Sequence, residues 1–274
     1  MREYGEEERK LLSEVLPNVG TELRGAMANV YAAACRLAPM EARENDGAVD
    51  KNAAIFTQSY YRMYRVVSNL SDAKKLTETE PFRLNNDDIV GLVRTVCERC
   101  EALFELQGVT LTFESAKSGQ IIAMDAELLE RLLLNLLSNA LKYTPRGGRV
   151  DVCVRVNERR VVLSVSDTGC GISPERQEHI FDSFFLPPAM DGAPHGLGLG
   201  LALCRRIAQG HGGTIVAESE VGKGTTVTVS LPNARSAKTV LREPFVDYSG
   251  GFNRTLLGLS DALGAAAFTY RYLD

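Results

Sequence analysis

The chain of 274 residues is long enough for one or two domains, and its 45% hydrophobic and 24% charged residues are typical of an ordinary globular protein. The net charge of −4 argues against a nucleic-acid binder, which usually presents a basic face. No apolar run approaches the roughly 18 to 20 residues that a membrane helix needs, and the polar, acidic residues 1–10 do not resemble a signal peptide. We therefore expect a cytoplasmic protein with no membrane span.

The first eighty residues predict two amphipathic helices. Apolar residues recur at steps of three and four from Leu12 to Leu37. The polar stretch 41–50 contains Gly47 and predicts a turn, after which a short heptad pattern runs from Phe56 to Leu70. A helical hairpin alone buries only one seam, so two copies would pair as a four-helix bundle. We expect residues 1–80 to form a dimerisation hairpin in a homodimer.

Residues 81–233 predict a second domain, in which helical and strand patterns alternate. Helices are predicted at 87–107, 125–143 and 200–209, and strands at 109–114, 121–122, 150–156, 161–166, 214–218 and 225–231. Between 180 and 196 the sequence is rich in proline and glycine, and a loop of that length is often a lid.

The helix predicted at 125–143 has an unusual polar face. Asn135, Asn139, Lys142 and Tyr143 are spaced i, i+4, i+7 and i+8, so they share one side, opposite a leucine-rich side. Asparagine has only modest helix propensity, and two of them on one face suggest a binding role. An ordinary solvated face remains the alternative.

The strand predicted at 161–166 runs into the sequence Asp-Thr-Gly-Cys-Gly, residues 167–171. Two glycines let the backbone approach a planar ligand closely, and the carboxylate of Asp167 can accept from an exocyclic amine such as that of adenine. A tight turn closed by an Asx hydrogen bond explains the same residues equally well.

Alternating glycines open the helix predicted at 200–209, in the sequence Gly-Leu-Gly-Leu-Gly from 196 to 200. A helix N-terminus of this kind presents free N–H groups and a positive dipole end to phosphates. The spacing is not that of a dinucleotide fingerprint, and residues 222–225 do not form a P-loop.

In this order the three motifs resemble the nucleotide-binding domain of sensor histidine kinases, over about residues 81–232. That family belongs to the ATPase superfamily shared with gyrase, the heat-shock chaperone and the mismatch-repair ATPase. The resemblance implies an α+β protein, in which the N-terminal hairpin precedes an α/β sandwich of the gyrase and histidine-kinase type. The sheet would carry its helices on one face, and ATP would lie between the sheet and these helices under a mobile lid, with Mg²⁺ on its phosphates.

The resemblance also implies a role for each matching residue. Asn139 would hold Mg²⁺, with Asn135 supporting it, Lys142 would meet phosphate oxygens, Tyr143 would flank the adenine and Asp167 would read its amino group. Phe181 and Phe184 match the lid phenylalanines. The complete set of predicted ATP-binding residues is Asn135, Asn139, Lys142, Tyr143, Asp167, Gly169, Gly171, Ile172, Phe181, Gly196, Leu197, Gly198, Leu199, Gly200 and Thr225.

The first helix resembles the family's dimerisation and phosphoacceptor helix but departs from it where phosphate is received. The family pattern is Asn-Val-Ser-His-Glu-Leu-Arg-Thr-Pro-Leu, and residues 18–27 read Asn-Val-Gly-Thr-Glu-Leu-Arg-Gly-Ala-Met. Thr21 therefore stands in the acceptor position and no histidine precedes His179. Glu22 matches the residue that serves as base for the acceptor, whereas Gly25 replaces the residue used in the family's phosphatase activity.

Three further positions bear on the chemistry. The superfamily's ATP hydrolases carry a water-activating glutamate where this chain has Asn135, which fits phosphotransfer rather than hydrolysis. The arginine that follows the lid phenylalanines is missing, with Leu186 nearby, and Leu197 replaces a small hydroxyl residue. The adenine and Mg²⁺ positions are kept, while the transfer chemistry looks damaged.

Cysteines and histidines outside these motifs predict structural roles. Cys97 and Cys100 have no second pair or nearby histidine to complete a zinc site, so two buried thiols on one helix are expected. His179, His195 and His211 are also expected to be structural.

Residues 234–274 form an aromatic-rich extension that the resemblance does not cover. Leaving many aromatic side chains in water is unfavourable. We therefore expect this extension to fold back onto the rest of the chain rather than to dock on a partner.

Three functions remain open at this point. The first is a histidine-kinase-like phosphotransfer enzyme of two-component signalling, with its acceptor on a response regulator or another signalling protein. The second is a degenerate pseudokinase that acts as a nucleotide-regulated binding module. The third is a kinase of the same superfamily directed at a Ser or Thr hydroxyl.

Overall fold

The computed structural model describes residues 15–72, 82, 84–185, 198–237 and 252–273. Its N-terminal part is an antiparallel hairpin of α1 (Leu16–Leu37) and α3 (Gly47–Asp72), as predicted. The predicted polar turn is instead mostly helical, because α2 (Met40–Asn45) fills it. Asp46 then accepts hydrogen bonds from the N–H groups of residues 48 and 49 and so caps the start of α3.

A five-stranded mixed sheet forms the centre of the second domain, in the order β2-β4-β5-β7-β6. β2 runs parallel to β4 and the other neighbours are antiparallel. The strands are β2 (Thr110–Ser115), β4 (Arg149–Val156), β5 (Arg160–Asp167), β6 (Thr214–Glu220) and β7 (Gly224–Pro232). Each lies within a few residues of its predicted position.

A separate pair, β1 (Asn85–Asp88) and β3 (Ile121–Met124), is antiparallel. The sequence pattern predicts β3 but not β1, whose residues Asn-Asn-Asp-Asp have low strand propensity. Its backbone pairing with β3 overrides that preference, and Asp88 at its end caps the following helix by accepting from Val90 N at 3.1 Å.

Three helices, α4 (Ile89–Gln107), α5 (Ala126–Tyr143) and α7 (Gly200–Gly210), cover the sheet, and a short α6 (Pro174–Gln177) lies beside β6. Alternate residues of β4 and β5 are buried, which is the pattern of strands with one face on the core. Together these elements form the predicted α/β sandwich. None of the helices among the described residues combines the length and apolarity needed to cross a bilayer.

Residues 252–273, the C-terminal segment, pack against both the hairpin and the ATPase-like domain. The segment contains α8 (Arg254–Leu259) and two turns of 3₁₀ helix. Phe252 contacts Tyr61 edge to face at 5.4 Å, and Phe268 contacts the same ring at 5.3 Å. Since Leu256, Leu259, Leu263 and Phe268 are all buried, the prediction that the extension folds back is confirmed for these residues. Two other aromatic residues of the extension, Phe245 and Tyr248, lie outside the described residues.

Candidate nucleotide-binding site

The polar face of α5 is partly buried rather than solvated. Asn139 and Lys142 are half-buried, whereas Asn135 is only 6% exposed. Asn135 Oδ1 accepts from Arg65 at 3.1 Å, and the Asn135 side chain also meets the buried Cys204 thiol. An ordinary solvated face does not bury an amide between such partners, so the alternative interpretation of this helix does not fit Asn135.

The N-terminus of α7 faces this amide. A Cβ atom at Gly200, the first residue of α7, would lie 3.7 Å from Asn135 Oδ1. The N-cap residue of α7, Leu199, makes no side-chain capping hydrogen bond, and the N–H groups of a first helical turn have no partner within their own helix. The glycine motif and the asparagine motif, about sixty residues apart in sequence, therefore meet at one point, where an anion would find N–H donors.

The first residues of the predicted lid contact the glycine motif. Phe184 N donates to Gly198 O at 3.0 Å, and Gly198 has a φ of +68°. A Cβ at Gly198 would lie 2.6 Å from Phe185 O, so only glycine allows this approach. Phe181 is half-buried. The predicted site residues Gly196 and Leu197, together with Leu186 and His195, lie outside the described residues.

Asp167 stands at the end of β5, and its Oδ1 accepts from Gly169 N at 2.9 Å and Thr225 N at 3.2 Å. The Asx bond expected of a simple turn is thus present, and both hydrogen bonds end on Oδ1, so the turn does not decide against the predicted binding role. Burial raises the pKa of Asp167, and the two N–H groups oppose this effect. Oδ2 is the oxygen that can accept from a ligand amine.

The turn after Asp167 packs tightly on the end of α5. A Cβ at Gly169 would lie 2.5 Å from Tyr143 O, so a larger residue would push the turn away from the helix. Tyr143 is half-buried, and Lys142 Nζ lies 5.4 Å from its ring centroid. Beyond Gly171, which has a φ of +69°, Ile172 N donates to Ser219 Oγ at 2.8 Å. The turn at Asp167 and the N-terminus of α7 thus both contact α5, at Tyr143 and at Asn135.

The residue predicted to stand at the phosphoacceptor position, Thr21, lies on the hairpin. Thr21 is exposed on α1, where Arg24 donates to its Oγ1 at 3.3 Å, and Glu22 is exposed beside it. The rings of Tyr31 in α1 and Tyr60 in α3 are in contact, which gives the register of the antiparallel hairpin. Thr21 precedes Tyr31 and Arg65 follows Tyr60, so both lie on the same side of this contact along the hairpin.

The prediction that Cys97 and Cys100 are buried on one helix is confirmed, and His211 is buried in hydrogen bonds. Cys97 and Cys100 are both buried on α4, where burial raises the pKa of each thiol to about 12. His211 is buried, with Nε2 accepting from Asp125 N at 3.0 Å and Nδ1 donating to Ile207 O at 2.7 Å. No group of three or more His, Cys, Asp or Glu residues suited to a metal occurs in the described ranges.

Arg65 is the residue of this region that the sequence analysis does not single out. It belongs to the hairpin, seventy positions before the asparagine it contacts. No local motif marks such a contact, because it depends on how two distant helices pack.

Comparison with known proteins identifies the domain. Residues 124–235 match the family model described as the histidine kinase-, DNA gyrase B- and HSP90-like ATPase. The chain carries an ATPase domain of this family, homologous to those of sensor histidine kinases. Residues 124–235 contain the whole of α5, the turn at Asp167 and the N-terminus of α7.

Relatives agree with this assignment along most of the chain. The sensor histidine kinase WalK of Bacillus subtilis (strain 168) is 33% identical over 224 residues, which are 80% of this chain and 36% of WalK. The crystal structure of full-length ShkA in complex with AMPPNP superposes with a TM-score of 0.65 at 27% identity, covering 83% of this chain and 47% of ShkA.

A third similar structure is that of a kinase bound to its signalling partner. The structure of the histidine kinase ThkA in complex with the response regulator protein TrrA superposes with a TM-score of 0.56, covering 84% of this chain and 65% of that chain. At 23% identity this likeness is one of fold. The chain spans about a third of the length of the curated relatives it matches.

Proposed function

We propose that this histidine-kinase-like chain binds Mg·ATP in the cleft between α5, α7 and the ends of β5 and β7. The observation that carries the proposal is that the turn at Asp167 and the N-terminus of α7 both contact α5, at Tyr143 and at the buried Asn135. Asp167 would accept from the adenine amine, Tyr143 would flank the ring, and the first turn of α7 would meet the phosphates.

The residues present fit a Mg²⁺ ion carried by the nucleotide. Mg²⁺ usually keeps several waters and binds through few protein oxygens plus substrate phosphates. The side-chain oxygen of Asn139, half-buried one turn after Asn135, would supply such a ligand. The bound ion would neutralise charge on the phosphates, and Lys142 on the same face would add a cation.

We further propose that the chain is a phosphotransfer protein of two-component signalling whose acceptor lies on another protein. Asn135 replaces the glutamate that activates water in the superfamily's hydrolases, and Thr21 replaces the acceptor histidine. A response regulator or another signalling protein would receive the phosphoryl group. The ThkA structure contains a kinase and a response regulator of this kind.

Two observations support a second function, a nucleotide-regulated binding module without transfer activity. Gly25 and Thr21 leave the first helix without the family's phosphatase and acceptor side chains. The C-terminal segment also fixes the hairpin against the ATPase domain, as Arg62 and Arg65 both donate to its backbone. A rigid connection of this kind suits a protein that reports nucleotide state to a partner.

A hydroxyl-directed kinase is the third candidate. Thr21 lies toward the same end of the hairpin as the nucleotide cleft, with Glu22 beside it as a base. A hydroxyl is a weak nucleophile and needs such a base to react.

We propose that the chain is a homodimer through the hairpin. Large apolar side chains stay exposed along α1 and α3 within the single chain, among them Val19, Leu23, Val30, Ile55 and Met63. Pairing two hairpins would bury them in a four-helix bundle. Val67, which belongs to the heptad pattern between Phe56 and Leu70 and is therefore predicted to lie in the dimer seam, is instead 5% exposed within the protomer, so it belongs to the fold of one chain.

Incubation with γ-labelled ATP, alone and with candidate response regulators, separates the three functions. Label that moves to a response regulator supports the phosphotransfer protein. Acid-stable label on Thr21 supports the hydroxyl-directed kinase, because phosphothreonine survives acid whereas phosphohistidine does not. Nucleotide binding without any transfer supports the binding module.

A further inference from the structure

A positively charged cleft opens where the C-terminal segment meets the hairpin and the end of α5. Its volume is about 380 Å³, and three cationic side chains line it, Arg62 of α3, Lys142 of α5 and Arg146. The carboxylate of Asp261, from the C-terminal segment, lies in the same lining. We call this the segment cleft, and its side chains carry more positive than negative charge.

Asp261 is held in place by two arginines of the hairpin. Arg65 Nε lies 3.5 Å from Asp261 Oδ2, and both side chains are largely buried. Arg62, one turn earlier on α3, donates to the carbonyls of Ser260 and Leu263 at 3.0 Å each. The backbone is thus bound on both sides of Asp261, so moving its carboxylate out of the segment cleft disturbs contacts with α3.

Two residues of the predicted nucleotide site lie within electrostatic reach of Asp261. Burial lowers the pKa of Lys142, and the charge of Asp261 opposes this effect. Burial raises the pKa of Tyr143, and Asp261 is among the charges that raise it further. The same carboxylate is one side chain away from Asn135, because Arg65 also donates to Asn135 Oδ1 at 3.1 Å. Asp261 therefore lies beside the face of α5 that is proposed to meet the nucleotide.

A carboxylate at this place affects phosphates and adenosine differently. A carboxylate and a phosphate repel one another, and the repulsion is larger in a partly buried site than in water. Both anions also favour the same cation, so Lys142 can neutralise a phosphate fully only when it no longer neutralises Asp261. Adenosine carries no charge, so the charge of Asp261 should not change its affinity.

We propose that the C-terminal segment is an autoinhibitory element of the nucleotide site, in which the carboxylate of Asp261 competes with the phosphates of Mg·ATP for Lys142. The inference rests on the proposed function, since it adds regulation to the same site. The coupling acts in both directions: displacing the segment strengthens Mg·ATP binding, and bound Mg·ATP loosens the segment.

Asp261→Asn in the full chain removes the charge but keeps the size of the side chain and an oxygen for Arg65. We expect Mg·ATP to bind at least about fivefold more tightly, and adenosine to bind within about twofold of the wild type. The matched control is Glu127→Gln, which removes a carboxylate from another ion pair between the segment and α5, with Arg254 at 3.3 Å. Glu127 lies roughly 22 Å from Lys142 along the helix, so this variant should leave both affinities within about twofold.

Lys142→Gln tests whether the competition is for this lysine. Asp261→Asn should strengthen Mg·ATP binding much less in the Lys142→Gln background, because no cation is left to compete for. Calorimetry measures each affinity, and thermal melting confirms folding. Hydrogen exchange is a second readout: it should rise at the amides of residues 258–263 when Mg·ATP saturates the wild type, and not when adenosine does. It decides if a variant does not fold or binds too weakly to measure.

Unchanged or weaker Mg·ATP affinity in a folded Asp261→Asn variant would overturn the proposal, as would hydrogen exchange that Mg·ATP leaves unchanged. Equal strengthening in Glu127→Gln would also overturn it, since the effect would then come from the overall charge. The same gain with and without Lys142 would show that the two anions do not compete for this lysine. If neither the wild type nor Asp261→Asn binds Mg·ATP, the proposed function fails as well. Normal wild-type binding with an unaffected, folded Asp261→Asn refutes this inference alone.

Discussion

Asp167→Asn is the substitution that most directly probes recognition of adenine. The Oδ1 atom of Asp167 accepts from the N–H groups of Gly169 and Thr225, so an asparagine would keep its oxygen there. Its NH₂ group would then replace Oδ2 and face the adenine amine donor to donor. The fold of the turn is preserved, while the one interaction with the ligand changes from attractive to repulsive.

The magnitude follows from the loss of one hydrogen bond to a charged group, about 1.5–3 kcal/mol. That loss corresponds to a Kd for Mg·ATP that rises by roughly one to two orders of magnitude. Calorimetry on the full chain measures it. The control is Asp151→Asn, on a residue that pairs with Arg149 at the exposed surface of β4. Unchanged affinity in Asp167→Asn would refute the assignment of Asp167 to the adenine.

The pH dependence of binding checks the same residue. Because burial raises the pKa of Asp167, its carboxylate takes up a proton at a higher pH than an ordinary aspartate, whose value is 3.8. ATP affinity should therefore fall as the pH is lowered through that raised pKa, and the Asp167→Asn variant should lack this component. Parallel pH profiles for the two proteins would contradict the argument.

Four further predictions test the dimer, the acceptor, the pH dependence of stability and the C-terminal segment. Leu23→Glu with Met63→Glu places charge on the exposed apolar surface of the hairpin and should convert a dimer to a monomer in sedimentation; a monomeric wild type at micromolar concentration would refute the bundle. Thr21→His should acquire acid-labile phosphate from γ-labelled ATP, whereas stoichiometric acid-labile label on the wild type would refute the loss of the acceptor. Burial lowers the pKa of His211 below 6.5, so the unfolded chain takes up a proton first and the free energy of unfolding should fall by up to about 1.4 kcal/mol per pH unit as the pH drops below 6.5; His211→Gln should remove that slope in denaturant titrations. Phe268→Ala, at a fully buried side chain, should cost about 3–5 kcal/mol of unfolding free energy, and a loss below about 1 kcal/mol would show that the segment is not part of the core.

Local patterns account for what the sequence predicts well. Alternation marks β4 and β5, and a leucine-rich stripe marks α5, because each pattern reflects a single face buried against the core. The candidate site residues can be predicted for a related reason: Asn139, Asp167 and Gly198 each belong to a short motif that can be recognised in the sequence without knowing the fold.

Long-range packing accounts for what the sequence does not predict. The contact of Arg65 with Asn135 spans seventy positions and its contact with Gly258 spans 193, so neither leaves a local signature. Val67 fits a heptad, but a heptad shows only that a face is apolar and not whether the same chain or a second copy covers it. Pairing with β3 similarly gives β1 a strand conformation that its own residues disfavour.

Calorimetric titration of the full chain with ATP, in the presence of Mg²⁺ and again with EDTA, tests the central claim most directly. The arrangement of Asn139, Asp167 and the first turn of α7 predicts one saturable site per chain, with tighter binding when Mg²⁺ is present. Adenosine should compete for the same site with a weaker affinity, since it fills the adenine part of the site but lacks the phosphates. A full chain that is folded by thermal melting and yet takes up no Mg·ATP would contradict the account.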